Sequence, residues 1–245
     1  MLNKKTFSLL VTCAVIANSS LAAAFTDIAD NYEYSQAIDF VQQQGIVNGY
    51  PDGTFKPYQP INRAELLKII IEAGFENEFL QFGSESCFTD VHADAWYTKY
   101  VCFAKNRGII NGYPDGTFKP EQNINFVEAL KITFNGLQIP AGSSDPWYQT
   151  YIQTAGEKKI IPLLETIGNS DYLLRGQMAE LVTRIIKYKS GNLQNYLDTE
   201  TCNDPQCLNP RKAELYTAAS SVTSTAAWSW KNFSSAWSEA VNLHG

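Results

Sequence analysis

The sequence predicts a mainly α protein made of three tandem helix–loop–helix units and a helical C-terminal tail. A shift of 63 residues aligns the segment from Phe25 with the segment from Phe88, and both segments contain NGYPDGTFKP. A third segment, DPWYQTYIQTAGEKKII from Asp145, matches the second unit. Apolar residues in each unit recur at helical spacing. Three units of about 50 residues are too few and too helical for a propeller, so we expect one compact cluster of three.

The first helix of each unit has one apolar face. Apolar side chains stand at i, i+4 and i+7, which places them on one side of a helix. These residues are Tyr34, Ile38 and Val41 in the first unit, Tyr97, Val101 and Ala104 in the second, and Tyr148, Ile152 and Ala155 in the third. We therefore expect this face to pack against the rest of the protein.

The second helix of the first two units begins with a capping signal. An asparagine is followed three residues later by a glutamate, a variant of the capping box, and the apolar pattern stops at a glycine. These residues are Asn62, Glu65 and Gly74 in the first unit and Asn125, Glu128 and Gly136 in the second. The third unit has Leu174 and Gln177 at the capping positions, so its helix start should be weaker.

The repeated NGYPDGTFKP stretch predicts a turn with an aromatic anchor between the two helices. Gly53 and Gly116 should adopt positive φ, and Phe55 and Phe118 should be buried. One aspartate in each stretch is too few oxygen ligands for a calcium loop. The third unit has PLLETIGNSDYLLRGQ instead, so it is expected to keep its helices and lose the loop.

Residues 1–24 have the layout of a secretory signal peptide. Lys4 and Lys5 precede the apolar run TFSLLVTCAVIA, and small residues precede Phe25. The run is shorter than the roughly 20 residues of a spanning helix. A lipoprotein interpretation of Cys13 is disfavoured because Thr12 is a poor residue before a lipidated cysteine. No later stretch is apolar enough to span a bilayer, so the mature protein is predicted to be secreted without a transmembrane segment.

Removal of the signal leaves four cysteines, an even number that suits an oxidising compartment. Among the three pairings that four cysteines allow, we favour Cys87 with Cys102 and Cys202 with Cys207. The first would close a loop of about 15 residues and contribute roughly 3 kcal/mol in the chain-entropy model. A zinc site is disfavoured because neither of the two histidines has ligand spacing to the cysteines. No metal site is predicted.

Composition and motifs disfavour several classes of function. The formal net charge is −6 with 18% charged residues, so no basic face for nucleic acid or an anionic bilayer is expected. The chain has no GxSxG, no phosphate-binding loop and no histidine embedded in a motif, so neither an enzyme nor a cofactor is predicted. Carboxylates such as Glu65 and Glu72 are interpreted as helix-surface charge.

Three motifs together resemble the S-layer homology domain, by which bacterial surface proteins attach to cell-wall polysaccharide. They are FTD at 25–27 and 88–90, the cores GIVNGYPDGTFKP and GIINGYPDGTFKP, and INRAEL at 61–66, which is close to the ITRAE signature of the family. The resemblance implies a pseudo-threefold body with central helices and glycan in grooves between neighbouring units. It divides the chain into a first copy at 25–80, a second copy at 87–140, a degenerate third copy at 144–190 and a Cys-containing, Trp-rich tail at 191–245.

The resemblance also implies which residues bind. The arginine of ITRAE is the main ligand-binding residue of the family, through a charge-assisted fork to a carboxylate such as a ketal-linked pyruvate. Arg63 and Arg175 stand at this position in the first and third copies, and Phe126 stands there in the second. A groove with Phe126 could not hold an anion in the same way. The alternative for Arg63 is an ordinary solvated charge.

Four further residues are candidates for glycan contact. Asp27 and Asp90 open their copies and are expected mainly to accept hydrogen bonds from backbone amides, with a glycan role secondary. Trp96 and Trp147 precede the first helix of their copies, where an exposed indole could pack on a sugar and a buried one would belong to the core. The sequence leaves these two alternatives open.

Two functional hypotheses follow. The first is a non-enzymatic surface or cell-wall protein that anchors non-covalently to a pyruvylated or otherwise anionic cell-wall polysaccharide. The second is an interaction protein that keeps the fold as a scaffold, and binds another exported protein or self-associates through its tail. In the tail, Trp230, Phe233, Trp237 and Val241 fall on one helical stripe, which is expected to pack on the body or on a partner.

Overall fold

The computed structural model describes residues 25–29, 31–83, 87–161 and 170–200. The predicted signal at 1–24, the predicted Cys202–Cys207 pair and the apolar stripe of the tail lie outside them. The described residues form eight α-helices, which confirms the mainly α prediction: α1 Ser35–Gln43, α2 Arg63–Gly74, α3 Glu76–Leu80, α4 Thr98–Asn106, α5 Phe126–Gly136, α6 Gln149–Glu157, α7 Arg175–Lys189 and α8 Leu193–Glu200. None of these helices has the length and apolar character needed to cross a bilayer.

The helices are arranged cyclically. The second helix of each copy packs on the first helix of the next, so α2 contacts α4, α5 contacts α6, and α7 contacts α1 and closes the circle. Just before each second helix, three backbone segments form a ring of hydrogen bonds. Ile61 N donates to Leu173 O (2.9 Å), Leu173 N to Ile124 O (3.0 Å) and Ile124 N to Ile61 O (3.0 Å). All three side chains are buried, so this ring lies inside the protein.

The apolar face of each first helix contributes to the core as predicted. In the first two copies all six predicted side chains are buried. In the third copy Ala155 is fully buried, whereas Tyr148 and Ile152 are partly buried against the core. The aromatic anchors Phe55 and Phe118 are completely buried, which agrees with the role predicted for the repeated loop.

Positive φ angles shape the repeated loop in the first two copies. Gly53 and Gly116 have φ of 79° and 80°, as predicted. Lys56 and Lys119 also lie in the left-handed region, each with φ of 58°. Left-handed conformations are uncommon for residues with a Cβ atom, so an outside contact must hold these two lysines.

The capping prediction is right for the first copy and half right for the second. Asn62 Oδ1 accepts from Glu65 N (2.8 Å), and Asn62 N donates to Glu65 Oε2 (3.0 Å), which completes the box. Asn125 Oδ1 accepts from Glu128 N (2.9 Å), but the Glu128 side chain does not return to Asn125. It turns instead toward an arginine of the first copy, so the expectation that Glu128 caps its helix is wrong.

Gly74 and Gly136 end their helices, but neither has the positive φ of a C-terminal glycine cap. Both glycines leave room for packing between α2 and α5. A Cβ atom at Gly136 would lie 2.2 Å from Ile70 Cγ2, and one at Gly74 would lie 3.2 Å from Leu137 Cδ2. Glycine is therefore needed at these two positions for close contact between helices, and the capping pattern alone does not reveal this.

Two further features, a disulfide and a buried polar cluster, fasten helices to neighbouring segments. The predicted Cys87–Cys102 disulfide is present, with a Cα–Cα distance of 5.4 Å, and fastens the segment before α4 to that helix. Near the C-terminal end, Tyr196 Oη on α8 donates to Glu180 Oε2 (2.6 Å), and Glu180 pairs with Arg184 in the interior. Arg184 also donates to Ile161 O (3.0 Å), which links α7 to the end of the α6 segment.

The Arg63 and Arg175 grooves as the candidate glycan site

Asp27 and Asp90 hold the repeated loop through backbone amides. Asp27 Oδ1 accepts from Phe55 N (2.7 Å) and its Oδ2 accepts from Lys56 N (2.7 Å). Asp90 makes the same two bonds in the second copy, at 2.8 and 2.7 Å. Both carboxylate oxygens are used, and they fix the backbone at the left-handed lysine. These are the backbone contacts expected from the sequence, and a direct glycan role of either aspartate stays a proposal.

Arg63 lies at the start of α2 and reaches into the repeated loop of the second copy. Its Nε donates to Phe118 O (2.8 Å), and its Nη1 donates to Glu128 Oε2 (3.2 Å). The guanidinium carbon lies 4.8 Å from the ring centroids of Tyr113 and Phe118. The side chain is only 7% exposed, so the interpretation of Arg63 as an ordinary solvated charge is wrong.

The Glu128 carboxylate joins Arg63 to a tyrosine of the same loop. Tyr113 Oη donates to Glu128 Oε1 (3.1 Å). Burial raises the pKa of Tyr113; Glu128 adds to this rise and Arg63 opposes it. Tyr113 therefore stays a neutral hydrogen-bond donor to the carboxylate. We call the contacting residues Arg63, Tyr113 and Glu128, between the first and second copies, the Arg63 groove.

Arg175 repeats this geometry between the third copy and the first. Its Nε donates to Phe55 O (2.9 Å), and its guanidinium carbon lies 4.8 Å from the Tyr50 ring centroid and 5.0 Å from that of Phe55. No carboxylate of the described residues lies within ion-pair distance of it. Its two terminal nitrogens make no hydrogen bond to a described residue, and Arg175 as a whole is 6% exposed. We call the contacting residues Arg175 and Tyr50, between the third and first copies, the Arg175 groove.

Comparison with known proteins agrees with the motifs. Residues 24–67 and 88–130 match the sequence profile of the S-layer homology domain. These two segments are therefore similar to S-layer homology domains. The third copy lies outside both matched segments, so its assignment as a degenerate S-layer homology repeat stays a prediction, as do the boundaries of all three copies.

The chain is also similar to a cell surface glycoprotein, a cellulosome-anchoring protein and a cell wall protein. It is 32% identical over 124 residues to cell surface glycoprotein 1 of Acetivibrio thermocellus, covering 48% of this chain and 5% of that protein. It is 34% identical over 128 residues to the cellulosome-anchoring protein of the same organism, covering 49% and 27%. The middle cell wall protein of Brevibacillus brevis is 24% identical over 182 residues, covering 74% and 17%. The alignments span about a quarter or less of each relative.

The cyclic order gives Phe126, which stands in place of an arginine in the second copy, a different neighbour from those of Arg63 and Arg175. Each copy directs this position at the loop of the next copy, and the second copy faces the third, which has no NGYPDGTFKP stretch. There Phe126 N donates to Asp171 O (2.9 Å), and the Phe126 ring is buried. The arginine is thus absent where the next copy lacks the NGYPDGTFKP sequence that Arg63 and Arg175 contact.

Trp96 and Trp147 are exposed, at 55% and 42%, so the alternative that they belong to the core is wrong. Trp147 packs edge-on to Tyr151 (6.1 Å between centroids), and Lys131 Nζ lies 4.7 Å from its ring centroid. Within the described ranges, neither indole makes a ring or cation contact with Arg63 or Arg175. The structure therefore does not bring the tryptophans and the arginines into one contact set, and glycan contact by the indoles stays a proposal.

The sequence analysis missed the tyrosines of the grooves. Tyr50 and Tyr113 precede PDG in the two copies of the repeated stretch, and their recurrence was the available signal. Beside the Arg175 groove, Tyr32 and Tyr58 form an edge-on pair with centroids 5.4 Å apart, and Tyr58 is 70% exposed. These positions carry Ala95 and Glu121 in the second copy, so no self-comparison could have drawn attention to them.

Proposed function

We propose that this protein anchors non-covalently to an anionic cell-wall polysaccharide through the grooves between its copies, without acting as an enzyme. It is a secreted, cell-surface or cell-wall-associated S-layer homology protein. The observation that supports the proposal is the Arg175 guanidinium, which is oriented by Phe55 O, lies beside Tyr50 and has no hydrogen-bond partner for its terminal nitrogens among the described residues.

The chemistry of this arrangement suits a carboxylate carried on a sugar. A guanidinium presents parallel N–H donors that match the two oxygens of a carboxylate, and one that is already oriented loses little rotamer freedom on binding. An adjacent tyrosine adds a flat apolar surface and a hydroxyl donor. A ketal-linked pyruvate on a wall polysaccharide provides both the carboxylate and the sugar face.

The test is co-sedimentation with purified cell-wall polysaccharide, before and after mild acid removal of ketal-linked pyruvate. The parent protein should sediment with the untreated polymer and lose binding to the treated one. The double variant R63Q/R175Q should bind roughly 10- to 100-fold more weakly, because a charge-assisted hydrogen bond contributes about 1.5–3 kcal/mol. Circular dichroism establishes that the variant is folded.

R107Q is the matched control, because Arg107 is an exposed arginine whose contacts, Glu78 and Phe103, belong to neither groove. It should bind like the parent. Binding by the double variant equal to that of the parent would refute the arginine mechanism, and absence of binding by the parent would refute polysaccharide anchoring.

The scaffold hypothesis is the second candidate, and one observation favours it. Of the three positions equivalent to the family arginine, one is Phe126 and another, Arg63, is already paired with Glu128. A protein that fails to bind the polysaccharide but forms dimers or larger assemblies in light scattering would support this function.

A further inference from the structure

We propose that Glu128 is a built-in carboxylate that fills the Arg63 groove, so that the Arg175 groove alone takes the anionic sugar. This inference rests on the proposed function and identifies which of the two arginine grooves performs it. It assigns Glu128 as a specificity-determining residue rather than a helix cap.

Glu128 satisfies the groups that a bound carboxylate would satisfy. One oxygen accepts from Arg63 Nη1 at 3.2 Å and the other accepts from Tyr113 Oη at 3.1 Å. An anionic ligand at this place would have to displace the glutamate and lie beside its negative charge. Both requirements oppose binding, since like charges at close range in a partly buried site repel strongly.

Glu65 holds the equivalent position in the first copy and does not do this. Its carboxylate accepts from Asn62 N at 3.0 Å and completes the capping box of α2. Arg175 and Tyr50, the counterparts of Arg63 and Tyr113, therefore have no such carboxylate. Among the described residues Arg175 has no ion-pair partner, and Tyr50 Oη has no hydrogen-bond acceptor. Two donors remain for the oxygens of a ligand.

The residues that flank the two grooves also differ in a way that favours ligand binding at the Arg175 groove. Backbone bonds from Arg175 and Gly176 to the carbonyls on either side of Tyr58 place that exposed tyrosine beside the Arg175 groove. The Tyr32 hydroxyl lies over Gly176, where a Cβ atom would be only 2.1 Å from it. Tyr32 and Tyr58 are thus an aromatic surface on which the C–H face of a sugar can pack.

The Arg63 groove lacks this aromatic surface. Ala95 stands where the first copy has Tyr32, and the exposed Glu121 stands where it has Tyr58. Glu121 adds a second negative charge near Arg63, whereas the Arg175 groove gains a neutral ring at that place. Charge and aromatic content therefore both favour the Arg175 groove for an anionic sugar.

The test is isothermal titration calorimetry with a soluble ketal-pyruvylated methyl glycoside as the probe. The parent should bind one equivalent. R175Q should weaken binding at least roughly tenfold, and R63Q should change it by less than about twofold. E128A should raise the stoichiometry toward two, because it removes the internal carboxylate and leaves the Asn125 cap intact. E65Q is the matched control and should leave both stoichiometry and affinity unchanged.

Two equivalents bound by the parent, an R63Q loss as large as that of R175Q, or a single equivalent bound by folded E128A would overturn the inference while leaving the proposed function in place. A parent that binds neither probe nor polysaccharide refutes the proposed function instead. In that case a double-mutant cycle without ligand tests the role of Glu128. The changes in denaturation midpoint caused by R63Q and E128Q should be non-additive, whereas those caused by R175Q and E65Q should be additive. Additivity in the first pair would overturn the assignment of Glu128.

Discussion

Replacement of Gly136 by alanine should destabilise the protein, although alanine is the better helix former. Gly136 is the last residue of α5, and a Cβ atom there would lie 2.2 Å from Ile70 Cγ2 on α2. Ile70 is fully buried and its Cγ2 branches directly from Cβ, so the methyl group cannot move aside without moving its backbone.

The magnitude follows from two opposing effects. Overpacking a close-packed core costs about 1–3 kcal/mol, and exchange of glycine for alanine in a helix contributes at most about 1 kcal/mol, less at a helix end. The expected net loss is about 1–2 kcal/mol. For a body of this size that loss lowers the Tm by roughly 2–8 °C.

Gly156 provides the control because it lies within α6 and a Cβ atom there meets no other atom within 4 Å. G156A should therefore stabilise by about 0.5–1 kcal/mol. Both variants are measured by urea denaturation with calorimetric Tm values. The G136A penalty should disappear in an I70A background, since that change removes the clashing methyl group. Equal or greater stability of G136A, or a loss in G156A matching it, would refute the reasoning.

Three other outcomes are expected. Replacement of Cys87 and Cys102 by serine should cost about 3 kcal/mol, measured by urea denaturation, and an unchanged midpoint would contradict this. Hydrogen bonds from Thr54 hold the pKa of Asp52 below 3.8. The contribution of Asp52 to stability is therefore present above pH 3.8 and is lost as the pH falls through the folded-state pKa. T54V should raise that pKa in a carboxyl NMR titration, and the equivalent aspartate of the second copy should not respond. Replacement of Tyr196 by phenylalanine should lower the free energy of unfolding by about 1–2 kcal/mol, because the buried Glu180 carboxylate loses a donor. It should also speed hydrogen exchange in α8. Unchanged exchange would show that the bond does not hold α8.

Local features of the fold could be predicted because neighbouring residues determine them. The positive φ of Gly53, the burial of Phe55 and the apolar faces of the first helices follow from short patterns that recur in the sequence. The disulfide followed from cysteine count and loop length. Each of these depends on residues close together in the chain or on chemistry that admits few alternatives.

The site depended on contacts between copies, which short patterns do not specify. Asn62 and Asn125 begin the same Asn-x-x-Glu pattern, yet Glu65 caps its helix and Glu128 pairs with Arg63. Phe126 could be seen as a departure from the family, but the cyclic order was needed to see that this position faces the copy without the NGYPDGTFKP sequence. Sequence reasoning identified Arg63 and Arg175 as equivalent positions and could not tell that their contacts differ.

The ring of backbone hydrogen bonds at Ile61, Ile124 and Leu173 has a consequence for how the copies diverge. Backbone peptide groups form this ring, so the ring does not depend on which side chains a copy carries. A single copy would leave one amide and one carbonyl of this ring without partners. Two copies would form one bond between them and would still leave one amide and one carbonyl without partners. The third copy is therefore needed to complete the ring although it lacks the NGYPDGTFKP sequence. Its side chains can differ from those of the other copies without breaking these backbone bonds.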